Sequence, residues 1–86
     1  MNELIELPNI GKVLAEKLNA IGVESKEDLI STGSVEAVLE IGDPDQAACY
    51  NMLYALEGAI REIRWHAISR EERSKLKEEY DAARAR

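Results

Sequence analysis

Leu7-Pro8-Asn9-Ile10-Gly11-Lys12 is the stretch that decides the fold of this 86-residue chain. Its proline disfavours helical backbone at the residue before it, and its glycine supplies the backbone freedom that a tight turn needs. Directly after it, apolar residues recur at helical spacing from Val13 to Ile21. The stretch therefore predicts a tight turn leading into a helix that begins at Ile10 or Gly11 and ends at Ala20.

The rest of the sequence divides into further helices at capping residues, glycines and prolines. We expect them at about residues 2–6, 26–32, 35–41, 45–64 and 70–83. The predicted N-caps of the last four are Ser25, Ser34, Asp43 or Asp45, and Ser69, in that order. Pro44 is expected in the first turn of the helix at 45–64. Gly22 stands where a left-handed helix end belongs.

The longest helix carries the main apolar stripe, whose residues recur at steps of four and three: Cys49, Leu53, Leu56, Ile60 and Ile63. We expect the stripe to pack on apolar residues of the other helices, namely Leu14, Leu18, Ile21, Leu29, Val38 and Leu39. Val13 falls on the same apolar face as Leu14, and Ile30 is expected to be buried beside Leu29. Gly58 lies inside this helix, where glycine costs about 1 kcal/mol relative to alanine. Close approach of a neighbouring helix is the expected compensation.

These patterns predict an all-α fold with one domain over residues 1–86, a small compact array of four to five short helices. The turn and its flanking helices form an N-terminal helix-hairpin-helix-like unit. A single cysteine argues against a disulfide and fits a reducing, cytoplasmic location. The chain lacks an apolar run of membrane-spanning length, and its composition suggests neither a cofactor nor a metal site.

The charge is unevenly distributed along the chain, which has a net charge of −6. Residues 1–30 carry six acidic and three basic residues, and residues 31–60 carry five acidic residues and no basic one. Residues 61–86 carry eight basic and six acidic residues. Because duplex DNA repels a negative surface, a nucleic-acid site would have to use the last third of the chain or a local patch at the turn.

Several motifs together resemble the C-terminal domain of TfoX-like proteins, bacterial regulators of competence for DNA uptake. They are Leu7-Pro8-Asn9-Ile10-Gly11, Ala20-Ile21-Gly22-Val23, Asp28-Leu29, Gly33-Ser34-Val35-Glu36-Ala37, Leu53-Tyr54-Ala55-Leu56-Glu57-Gly58-Ala59-Ile60 and Trp65. The resemblance extends from Leu7 to about Leu76 and implies a helical domain involved in regulation rather than catalysis. Full-length relatives carry an additional N-terminal domain that this sequence lacks.

The turn offers a candidate phosphate contact at Asn9, Gly11 and Lys12. The N–H groups at a helix start lack intrahelical partners and lie at the positive end of the helix dipole, so they bind anions. The alternative is a purely structural turn with a solvated Lys12, since asparagine tolerates unusual backbone angles. Asn9 also replaces the second glycine of many DNA-binding hairpins, and the nearby Glu6 and Glu16 oppose an anion.

Arg61, Arg64 and Arg70 are further candidates for contacts to DNA, within a basic stretch that continues to Arg73, Lys75 and Lys77. The alternative is an ordinary helix surface in which ion pairs such as Glu71–Lys75 and Glu79–Arg73 weaken the positive electrostatic field of these residues. We expect Trp65 and Tyr54 to pack in or around the core, although exposed aromatic rings could also stack on bases. His66 lacks a second ligand in the sequence and is expected to lie at a helix end.

These observations leave three classes of function. The first is a non-enzymatic regulatory module whose partner is an unidentified protein or a second copy of the chain. The second is a helix-hairpin-helix module that contacts DNA phosphates non-specifically, which the negative net charge disfavours. We do not expect an enzyme, because the sequence shows no nucleophile–base pair, metal cluster or glycine-rich nucleotide loop.

Overall fold

The computed structural model describes residues 3–86, and it shows the predicted all-α fold. Five α-helices follow one another as α1 (Lys12–Ala20), α2 (Lys26–Thr32), α3 (Ser34–Ile41), α4 (Gln46–Arg61) and α5 (Arg70–Arg84). Two short 3₁₀ helices, Glu3–Glu6 and Trp65–Ala67, precede α1 and α5. The long α4 is the central scaffold, with α2, α3 and α5 packed against it and α1 packed on α3.

Side-chain caps begin three of the helices where the sequence predicts them. The Ser25 hydroxyl accepts a hydrogen bond from the N–H of Asp28 at 3.0 Å. The Ser69 hydroxyl accepts one from the N–H of Glu72 at 3.1 Å, and Asp45 caps α4. Each bond satisfies a donor that has no partner within its helix.

The first predicted helix is the 3₁₀ segment Glu3–Glu6, and its predicted start at residue 2 lies outside the described residues. Of the two N-cap candidates for α4, Asp45 is the cap, so Pro44 precedes the helix instead of lying in its first turn. Two predicted helix starts were wrong. Helix α1 begins at Lys12 instead of Ile10 or Gly11. Ser34 is the first residue of α3 rather than its cap, because its hydroxyl donates to the Glu57 carboxylate at 2.8 Å.

The end of α4 differs most from the prediction. The helix stops at Arg61, where Glu62 adopts a left-handed φ of 60°. The N–H of Ile63 then donates to the carbonyl oxygen of Gly58 at 2.9 Å, which closes the last turn. Glutamate rarely takes this conformation, and position 62 has no glycine that would have predicted the helix end. The chain after Arg61 is thereby freed to turn back along the helix.

The core is one cluster that draws residues from all five helices. Its buried members are Leu4, Ile10, Ala15, Leu18, Val23, Leu29, Ala37, Val38, Cys49, Met52, Leu53, Leu56, Ala59, Leu76 and Tyr80. Two predicted core residues were wrong, since Val13 is 67% and Ile30 is 52% exposed. In α1, Ala15 faces the core instead of Val13, because Leu14, Leu18 and Ile21 set a face that excludes position 13.

A polar chain of contacts connects α3, α4 and α5. Glu57 on α4 accepts from the Ser34 hydroxyl and from Nε of Arg61, the latter at 2.8 Å. The guanidinium of Arg61 also pairs with Glu72 on α5. Hydrogen bonding to Arg61, together with its positive charge, lowers the pKa of the Glu72 carboxyl below its ordinary value. The ionised form of Glu72 is therefore favoured in the folded protein.

None of the helices within residues 3–86 is both long enough and apolar enough to cross a bilayer.

The pairing of Glu72 predicts a pH dependence of stability. A carboxyl whose pKa is lower in the folded state stabilises the protein above its unfolded-state pKa, and this contribution disappears as the pH falls through the folded-state pKa. We expect the urea midpoint to fall less steeply between about pH 6 and pH 3 in Glu72→Gln than in the wild type. Glu71→Gln removes an acidic residue from the same first turn of α5. An equal flattening in that control would contradict a specific role of the Arg61–Glu72 pair.

Candidate binding groove beside the Leu7–Gly11 turn

The side chain of Asn9 holds the Leu7–Gly11 turn against the rest of the protein. Its backbone is left-handed, with a φ of 69°. Its Nδ2 donates to the carbonyl oxygens of Ala55 at 3.3 Å and Ile63 at 3.0 Å, and its Oδ1 accepts from the N–H of Trp65 at 3.2 Å. One amide therefore joins the turn, α4 and the segment after α4. The sequence reasoning missed this structural role.

Gly58 makes this close contact possible. A Cβ at position 58 would lie 2.5 Å from Nδ2 of Asn9, 2.8 Å from the carbonyl oxygen of Ile63 and 3.3 Å from Cα of Trp65. Any side chain would displace at least one of these groups. The expected close approach to Gly58 is confirmed, although the neighbours are a side chain and a loop rather than a helix.

The sequence suggested that Gly11 supplies the backbone freedom that the tight turn needs. The structure shows that it does not. Its φ is −96°, which any residue can adopt, and a Cβ there would have no neighbour within 4 Å. The left-handed residue of the turn is Asn9 instead. Gly11 acts as the N-cap residue of α1, and the exposed Lys12 follows it as the first helical residue.

Arg64 lies beside the turn, in the segment that Asn9 holds. It lines an open depression of about 550 Å³ together with Gly11 and the residues from Glu6 onward. Three of the six candidate residues, Asn9, Gly11 and Arg64, thus meet at one place. The positive charge of Arg64 stands next to the start of α1, with the carboxylate of Glu6 on the same rim.

A second depression, of about 450 Å³, shares Asn9 and Arg64 with the first. Asn51, Tyr54, Trp65 and His66 complete most of its wall. The Trp65 and His66 rings stack with centroids 4.2 Å apart and planes inclined by 29°. Trp65 is 37% exposed, so it lies at the rim of the core.

A third depression, of about 370 Å³, lies on the other side of Tyr54 and is lined by Arg70, Arg73, Ser74 and Lys77 of α5. The guanidinium carbon of Arg73 lies 5.7 Å from the centroid of the Trp65 ring. Its Nε is buried and has no hydrogen-bond partner among the described residues. Tyr54 lines both the second and the third depression, and we call the two together the basic groove.

The basic groove carries four cations, Arg64, Arg70, Arg73 and Lys77, and no acidic residue lines its two depressions within the described chain. Over residues 3–86, none of the four forms an ion pair with a carboxylate. The predicted pairing of Arg73 with Glu79 was therefore wrong. The groove thus gathers four cations without a direct carboxylate partner in a chain whose net charge is −6, and Lys77 also lies 4.9 Å from the centroid of the Tyr50 ring.

Arg61, a candidate for contacts to DNA, does not line the basic groove or the depression beside the turn. Its guanidinium is bound by Glu57 and Glu72, which raise its pKa above the ordinary value. It lines a separate depression that also contains Glu36 and Glu79. Arg61 thus stabilises the packing of α4 on α5, in acidic surroundings.

In the part of the chain that the structure describes, no three histidine, cysteine or carboxylate side chains are grouped so that they could hold a metal ion.

The comparisons with known proteins identify a family and two close structures. The family model described as "TfoX C-terminal domain" matches residues 1–80. Among solved structures, an uncharacterized protein from Listeria monocytogenes, in a triclinic form, is 42% identical, with a TM-score of 0.82, over 94% of this chain and 92% of that chain. A protein of unknown function from the same organism, in a tetragonal form, is 42% identical, with a TM-score of 0.81, over 93% and 98% of the two chains.

The printed descriptions of both structures assign no function. None of the curated proteins is similar enough to this chain to count as a match.

The contact between Gly58 and Asn9 predicts that Gly58→Ala destabilises the fold. Overpacking of this kind costs about 1–3 kcal/mol and the gain in helix propensity is about 1 kcal/mol, so we expect a net loss of stability of up to about 2 kcal/mol. The measurement is the free energy of unfolding in urea. Asn51→Ala, at an exposed position of the same helix, is the control and should leave stability unchanged or raise it by a few tenths of a kcal/mol. A gain in stability for Gly58→Ala would contradict the close contact.

Proposed function

Because the chain belongs to the TfoX C-terminal domain family, we propose that it is a non-catalytic regulatory module that acts by binding an anionic macromolecule at the basic groove. The family points to regulation, since TfoX-like proteins regulate competence. The single observation that carries the binding surface is the set of four cations without carboxylate partners in an acidic chain. Such a local field attracts and orients an anionic partner.

The chemistry of the groove favours binding over catalysis. Guanidinium, ammonium and aromatic groups line it, together with the hydroxyl groups of Tyr54 and Ser74 and the amide of Asn51. Guanidinium groups offer several fixed donors to oxyanions and remain charged at all physiological pH values. Self-association and an unidentified protein partner both remain predictions, and a protein partner with an acidic surface would use the same charge complementarity.

Contact with DNA phosphates at the turn is a second candidate, and one observation favours it. Arg64 lies beside Gly11, so a cation stands at the start of α1, where backbone N–H groups also attract anions. Two features weaken it. The Asn9 side chain is already held by backbone groups, and Glu6 lines the same depression.

The proposal predicts salt-sensitive binding to a polyanion through the groove. We expect the wild-type chain to bind immobilised heparin at low salt and the Arg73→Gln/Lys77→Gln variant to elute at a lower salt concentration. Each lost cation reduces the number of counterions released on binding, so the affinity for the polyanion depends less steeply on salt.

The matched control is Lys75→Gln/Arg86→Gln, which removes the same charge from α5 and the end of the chain, outside the groove. It should elute close to the wild type. Equal shifts in both variants would show that net charge alone governs binding, and a wild-type chain that fails to bind heparin at low salt would contradict the proposal.

A further inference from the structure

We propose that the basic groove binds a single strand of nucleic acid, with a base on the Trp65–His66 stack and phosphates at the cations of both depressions. This inference rests on the proposed function, because it specifies the anionic partner of the same surface. It uses a surface different from the hairpin turn, since the second and third depressions lie along α4 and α5 rather than at the start of α1.

The cations line both depressions of the groove. Arg70, Arg73 and Lys77 lie at successive steps of three and four on α5 and therefore share one face of that helix. Arg64 lines the other depression together with the aromatic rings, and it also lines the depression beside the turn. A flexible chain with a charge on every unit fits this arrangement, because it can bring phosphates to the cations of both depressions at once.

The aromatic rings lie close to these cations, because Arg64 lines the same depression and the guanidinium carbon of Arg73 lies 5.7 Å from the centroid of the Trp65 ring. The stacked Trp65 and His66 rings and the ring of Tyr54 contribute to the second depression, where the amide of Asn51 adds donors and an acceptor. Bases that are not paired stack on such rings and form hydrogen bonds through their edges. The Trp65–His66 pair is a platform that an added base can extend.

A single strand fits these features better than the other anionic macromolecules do. An acidic protein segment supplies negative charge, but its carboxylate side chains carry no planar ring to extend the stack. Duplex DNA carries planar bases, but they are stacked inside the helix and present only their edges in the grooves. A single strand offers unstacked bases together with a phosphate at every unit.

Trp65 is the only tryptophan of the chain, so intrinsic fluorescence reports directly on this stack. The experiment titrates the full chain at low salt with an oligothymidylate of about 12 nucleotides. We expect saturable quenching of the Trp65 emission and an affinity that falls steeply with added salt. Binding without any change in the Trp65 emission would overturn the stacking of a base at this site.

Affinity is measured independently by the fluorescence anisotropy of the labelled oligonucleotide. Trp65→Ala should weaken binding by about 5- to 140-fold, the equivalent of one lost stacked base. Lys75→Gln, on α5 outside the groove, should change it less than about twofold. Circular dichroism checks that each variant is folded. If Trp65→Ala does not fold, the wild-type quenching and the Arg73→Gln/Lys77→Gln variant still test the proposal.

Two competitors of the labelled strand distinguish a single strand from an acidic protein segment and from duplex DNA. Poly-glutamate and a duplex of equal phosphate number should each displace the labelled strand less effectively than the unlabelled strand. Equal or better displacement by either would overturn single-strand binding. If heparin binding still depends on the groove cations in that case, the proposed anionic partner stands. If heparin binding fails as well, both proposals fall.

Discussion

The fold and the groove depend on the contact between the side-chain amide of Asn9 and the backbone around Gly58. Three hydrogen bonds from one asparagine fix the N-terminal turn, the last turns of α4 and the segment that begins at Ile63. The missing Cβ of Gly58 leaves the space in which these elements meet. Without this contact, nothing in the turn itself would place Arg64 beside Gly11 or hold the backbone of Trp65 next to α4.

Local sequence signals predicted those parts of the fold that local interactions determine. The caps at Ser25, Asp45 and Ser69 and the buried positions Leu53 and Leu56 follow from periodicity and side-chain chemistry within a few residues. The glycine inside α4 even predicted a close neighbour. These features are predictable because each depends on a segment shorter than a helix.

The remaining features depend on partners that are distant in the sequence. Asn9 forms hydrogen bonds with Ala55 and Ile63, which follow it in the sequence by 46 and 54 positions. Periodicity in the sequence cannot predict a pairing over such a distance. Ser34 leaves its capping role because Glu57 offers a charged acceptor across the core. The end of α4 at Glu62 requires a left-handed glutamate, which only the tertiary structure supports. Tertiary contacts decided each of these outcomes against a reasonable local preference.

The candidate site shows the same division. Sequence reasoning named Arg64 and Arg70 and expected Trp65 and Tyr54 to pack in or around the core, but it could not tell paired from unpaired cations. Arg61 is bound by two carboxylates, whereas the cations of the basic groove face a wall without acidic residues. The negative net charge of the whole chain therefore does not predict the positive charge of the basic groove. A positive groove on an acidic domain also favours one orientation of an approaching polyanion.

The stability of Asn9→Gly tests the central claim most directly, because glycine adopts the left-handed backbone of position 9 without strain. If the side-chain amide of Asn9 connects the turn to α4 and to the segment after it, its removal breaks three hydrogen bonds. The free energy of unfolding in urea should then fall by about 1.5–4 kcal/mol. If position 9 requires only a left-handed residue, glycine should serve at least as well as asparagine. A variant as stable as the wild type, or more stable, would contradict the account.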